Sequence, residues 1–179
     1  GVQTCALPIF LALFLGSLSI RYTDTDLWYH LAGGRHLLAT GDLFNPVLYS
    51  YIDESRDFVN YFWGFQLLVY GTWAVAGELG LIFIKALLLL GCGYLAARIV
   101  CEGRPLRDAG FIQLFITAIV IGLLCARGFS LRPHLVSLVF IPLFIYILGC
   151  REKLYPLLPL LAVLWINLDR KSTRLNSSH

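Results

Sequence analysis

Residues 79–100 read LGLIFIKALLLLGCGYLAARIV, and this stretch decides the class of fold. Before Arg98 it carries a single charge, Lys85. A helix needs about 20 mostly apolar residues to cross the hydrocarbon core of a bilayer, whereas a helix on the surface of a soluble protein keeps one polar face. Residues 79–100 keep none and are expected to span a membrane. Working outward, 109–126 and 133–150 repeat the pattern, 154–168 begin a further span, and 10–20 end one. The expectation is all-α: a polytopic transmembrane helical bundle with a long first loop. Composition agrees. The chain is 58% hydrophobic with a mean hydropathy of +0.74, against roughly 45–50% apolar for a soluble domain. A chain of this length cannot hide so much apolar surface in one soluble core.

Both ends are set aside before further reading. Asp169–His179 and Gly1–Ile9 match translations of one sequencing-adaptor oligonucleotide read on opposite strands. They are expected to be artefact, which leaves 10–168 as the N-terminal fragment of one transmembrane domain. Without the ends, eleven Lys/Arg face ten Asp/Glu. The formal charge of +3 therefore gives no reason to expect a nucleic-acid partner. Cys92, Cys101, Cys125 and Cys150 lie in or beside apolar runs without paired spacing and read as small buried hydrophobes.

Basic residues orient the chain, because short cytoplasmic loops are rich in Lys and Arg. Arg98, Arg104 and Arg107 crowd one loop, and Arg151 and Lys153 the next loop on that side. Arg21, Arg35, Arg56, Arg127 and Arg132, on the other side, are spread thinly. Loops 98–110 and 150–155 are thus expected in the cytoplasm, and 21–60 outside. Residues 61–77, with Gln66, Thr72 and three glycines, make a poor span. They read as a helix in or near the outer interface, with Trp63, Tyr70 and Trp73 at headgroup depth. Lys85, about 9 Å into its span, is expected to snorkel back to that interface.

The outer loop holds the groups that can do chemistry. Asp26 is placed to cap a helix from Leu27 to Thr40, with Gly41 just past its end. Leu27, Leu31, Gly34 and Leu38 then share a face. Asp26 and His30, four apart, can meet beside the helix start. A carboxylate beside an imidazole serves a general base or a divalent metal; the plain alternative is a cap and an interfacial histidine. Asp42, Asp53, Glu54 and Asp57, interleaved with Tyr49, Tyr51 and Phe58, suit a sugar or an ordinary interfacial loop equally.

Asp24-Thr-Asp-Leu-Trp-Tyr-His-Leu-Ala-Gly-Gly-Arg35 resembles the Asp-Pro-Asp-Leu-Trp-Trp-His-Leu motif, with a following Gly-Arg, of bacterial membrane proteins similar to GT-C fold glycosyltransferases. The similarity continues at Asn45-Pro-Val-Leu-Tyr-Ser-Tyr-Ile52, at Arg132-Pro-His-Leu135 and at Leu164-Trp-Ile-Asn-Leu168. Thr25 departs from the motif's proline. Phe62, in Asn60-Tyr-Phe-Trp63, stands where the family tends to have an acid.

The resemblance implies an enzyme of the bacterial inner membrane, its first loop outside the cytoplasm, that transfers a sugar from a polyprenyl-phosphate donor. It also implies Asp24 or Asp26 as base or as ligands of a divalent metal. Substrate binding falls to His30, Arg35, Arg127, Arg132 and His134; of these Arg127, Arg132 and His134, in the next outer loop, are placed either to face the donor phosphate or simply to snorkel at a helix end. Membrane lipid and a lipid-linked sugar are the implied partners. A transporter or flippase, or a non-catalytic part of envelope assembly, is the alternative; transporters keep ionisable groups near mid-membrane.

Overall fold

The computed structural model describes residues 15, 25–43, 60–102, 110–127 and 130–169, apart from the side chains of 114 and 124–127. The described residues are helical and contain no strand. The expected span at 10–20 (apart from Leu15), Asp24, most of the acidic loop, and both expected adaptor stretches except Asp169 lie outside them.

The first helix, α1, is Thr25–Thr40. It starts one residue before Asp26, which therefore sits inside the first turn and is not the cap expected from sequence. Gly41 ends it as expected, with a φ of 71° and its N–H donating to the Leu37 carbonyl at 2.8 Å. The buried face is Leu27, His30, Leu31, Gly33, Gly34 and Leu37. Leu38, expected on that face, is 62% exposed.

Trp63–Val100 forms α2, which breaks at Gly77 (φ 57°, ψ −140°). An L-residue is strained in that conformation. The break is sharp: a Cβ on Gly80 would lie 2.6 Å from the Thr72 carbonyl oxygen, whereas a straight helix separates such positions by about 12 Å. The first limb, 63–76, is about 21 Å long and falls short of a bilayer core; the second, 78–100, reaches about 34 Å. Taken whole, α2 is the one helix among the described residues that is long and apolar enough to cross a membrane.

Contacts fix the directions. His30 meets Phe62 and Phe65, and four residues on, Gly34 meets Gln66 and Tyr70, so α1 and the first limb run parallel. That register sets Leu38 level with 73–76, which are themselves exposed, so none of the described residues on that limb covers it. Helix α3 is Phe111–Arg127. Gln113 lies near Val100 and Ile121 near Gly93, which makes α3 antiparallel to the second limb. Helix α4, His134–Cys150, runs parallel to that limb, with Cys92 at Leu138 and Arg98 at Tyr146. A 3-10 turn, Glu152–Leu157, leads into α5, Leu158–Leu168. Pro156 and Pro159, which lack the N–H a continuing helix needs, explain why the expected helix at 154 starts late. Helix α5 returns along α4, its Trp165 ring stacked on Phe140 at 5.9 Å.

One core joins these elements: Leu27 and Leu31 of α1, Phe65, Val69, Leu81 and Leu89 of α2, and Leu131, Leu135 and Val136 at the start of α4. Lys85 lies between Leu81 and Leu89 on the same helix face and is 0% exposed. The expectation that it snorkels to the interface is thus wrong, because this face of α2 is covered by the bundle. Pro142 cannot donate to the Leu138 carbonyl, and the thiol of Cys92 donates to it instead, at 2.7 Å.

Candidate functional site at the Asp26 end

The alternating directions bring one end of the bundle together from distant sequence. Asp26, in the first turn of α1, pairs with Arg132, two residues before α4, at 3.1 Å. The two side chains are 48% and 43% exposed respectively, so they face the surroundings and hold one another. Arg132 is steadied from behind by its Nε, which donates to Ser130 Oγ at 2.9 Å. An ion pair this exposed contributes about 0–1 kcal/mol, too little to explain it as a structural clamp.

Beneath the pair lies a buried polar layer. His30 is 4% exposed, held edge-on by Tyr29, Phe62 and Phe65, with ring centroids 5.1, 5.8 and 4.9 Å away. It is buried among these rings, while the Asp26 carboxylate, four residues back, pairs with Arg132 at the surface. The cause is the α1 face: position 30 belongs to the stripe that packs on the first limb of α2. Gln66 is fully buried, and its Oε1 accepts from Asn60 Nδ2 at 2.5 Å. Its Nε2 faces the Tyr29 hydroxyl without a close hydrogen bond. Burial pushes the Tyr29 phenol above its ordinary value, with the Gln66 amide working against it and the Asp26 charge adding to it. Tyr29 is therefore a neutral hydrogen-bonding group at any physiological pH.

Of the other residues expected at the site, His134 opens α4 and is half-buried, while Arg35 is exposed on α1, more than two turns beyond Asp26. Arg127 ends α3, its side chain outside the described set, and Asp24 lies outside it altogether. Among the described residues no group of three or more His, Cys, Asp or Glu is placed to hold a metal. The end of α5 also arrives here. Trp165 Nε1 donates to Ser137 Oγ at 2.7 Å, and that hydroxyl donates to Asp169, the first residue of the stretch expected to be adaptor. The carbonyl of Asn167 abuts Gly64.

The sequence reading passed over Tyr29, Asn60, Gln66 and Ser130. The available signal was Gln66, one amide in an apolar stretch, counted only as unsuited to a span. Compared with protein-family models, characterised proteins and solved structures, the chain finds no match. Its geometry has to carry the functional reading.

Proposed function

We propose that this chain is part of a polytopic membrane protein, resembling GT-C glycosyltransferases, that transfers a sugar from a polyprenyl-phosphate donor at the outer face of the membrane. The Asp26–Arg132 ion pair is the observation that carries this reading. It joins the first turn of α1 to the segment before α4, more than 100 residues away in sequence, and it sets the two group types the reaction needs side by side at the exposed end of apolar helices. A carboxylate can take the proton of the acceptor hydroxyl as it attacks the anomeric carbon. A guanidinium can hold the leaving phosphate by paired, charge-assisted hydrogen bonds. A donor whose tail stays in the bilayer is best met at a membrane surface, where this pair would lie. Phe62, against His30, leaves the acidic position of the resemblance apolar, so the base role rests on Asp26 and Asp24. The alternation of the second limb, α3, α4 and α5, with exposed Phe111, Ile112, Phe115, Leu160 and Val163, supports placing all four in lipid.

The test uses the intact gene product. Asp26→Asn keeps the shape and a hydrogen-bond acceptor but removes charge and basicity. Transfer should fall about 10²–10⁴-fold, with membrane insertion unchanged, and Asp24→Asn should behave alike if both acids act. Normal turnover of lipid-linked sugar by the double variant would end the transferase reading. One observation favours the transport alternative: Lys85 is a fully buried cation, of the kind that marks transport paths. A transporter would lose substrate movement with Lys85→Met and keep it with Asp26→Asn.

A further inference from the structure

Asp26 and Arg132 hold one another, yet the chemistry proposed for them needs each to hold something else. Asp26 Oδ2 lies 3.1 Å from Arg132 Nη1. While that pair stands, Oδ2 meets a guanidinium and not an acceptor hydroxyl. A donor phosphate approaching Arg132 likewise meets a guanidinium that already carries a carboxylate, and the two anions repel at that range. Three features suit the pair to a change of partner. Both side chains are about half exposed, so an anion can reach them from the surroundings. An exposed ion pair is weak, whereas paired, charge-assisted bonds from a guanidinium to a phosphate are strong. Arg132 also has a separate anchor: its Nε donates to Ser130 Oγ at 2.9 Å. That nitrogen is not the one that meets Asp26, so Nη1 can change partner while Ser130 still holds the guanidinium.

We infer that the Asp26–Arg132 pair is the closed state of the site and opens by exchange: the donor phosphate takes Arg132 from Asp26, and the carboxylate then turns to the acceptor hydroxyl. Binding is ordered, donor first and acceptor second, so the base meets a hydroxyl only once a sugar is in place. After transfer the exchange runs backwards. The leaving phosphate is a monoester, with more negative charge than the diester donor, and the returning carboxylate competes it off Arg132. This inference rests on the sugar-transfer reading and adds to it an order of events and a means of product release.

The intact protein, purified in a neutral detergent, is titrated with farnesyl phosphate, a short prenyl phosphate, and with farnesol as the uncharged control. Equilibrium binding is measured with no sugar or acceptor present. Farnesyl phosphate should bind the wild type more tightly than farnesol does. Asp26→Asn removes the competing anion and should tighten farnesyl phosphate binding about two- to fivefold, the worth of an exposed ion pair written as a binding ratio. Arg132→Gln should bind it more weakly, and adding Asp26→Asn to that variant should bring no gain, because the competition is for Arg132. Both positions are half exposed, so neither replacement threatens folding, and the melting temperature of each variant checks this. Unchanged or weaker binding by Asp26→Asn would overturn the exchange. The same gain in the Arg132→Gln background would overturn it too, leaving plain repulsion between two anions. Equal binding of farnesol and farnesyl phosphate would remove the phosphate from the site. The transferase reading fails on turnover and this inference on a binding ratio, so the two failures are told apart.

Discussion

Gly34 is where the frame of the site is tightest. A Cβ there would fall on the Gln66 carbonyl oxygen and lie 2.5 Å from Tyr70 Cβ. Backbone cannot yield as a flexible side chain can, so Gly34→Ala should cost at least about 1–3 kcal/mol, the range for overpacking. It should shift the melting temperature of the purified protein accordingly. Arg132→Gln should do the reverse: a half-exposed ion pair is worth about 1 kcal/mol at most, so stability should hardly move while donor binding weakens. A large drop in stability for Arg132→Gln would make the pair a structural clamp. At this scale the sequence was a partial guide. The spacing of Leu27, Leu31 and Gly34 named part of the buried face, but the same 3.6-residue period carries His30 inward. Nothing local says that the carboxylate of Asp26 will be met by a guanidinium from position 132, since that contact depends on how the helices alternate.

At the scale of elements, two breaks shape the bundle. Gly77→Ala forces an L-residue into a conformation that suits glycine, and should cost about 1–3 kcal/mol and loosen the first limb, read as faster proteolysis near Gly77. Pro142 makes the other break, freeing the Leu138 carbonyl that the Cys92 thiol then meets. Cys92→Ala leaves that part-buried carbonyl without this donor and should cost about 1 kcal/mol, whereas Cys150→Ala, at the half-buried end of α4, should cost little. The main helices were legible because unbroken apolar runs bounded by charges and prolines leave few alternatives, and 133–150 matched to within one residue. The sharp fold at Gly77 was legible only as the boundary between the interfacial stretch 61–77 and the span from 79. The burial of Lys85 was not legible, because a hydropathy profile gives depth along a helix and not which face its neighbours cover.

For the whole molecule, the relative placement of the loops follows from the packing. Asp26 and Arg132 share one end, Arg98 and Arg151 the other, separated by the 17 residues of α4, about 25 Å. The density of basic residues anticipated this pairing of ends from sequence alone. The central claim is that these ends lie on opposite faces of a membrane, with the Asp26 end outside. Single cysteines at Asn45 and Leu106, in the intact protein with its native cysteines replaced, test that claim directly with a membrane-impermeant thiol reagent on whole cells. Labelling of position 45 in intact cells, with position 106 labelled only after the cells are opened, is the predicted result; labelling of 106 without 45 in intact cells would contradict it.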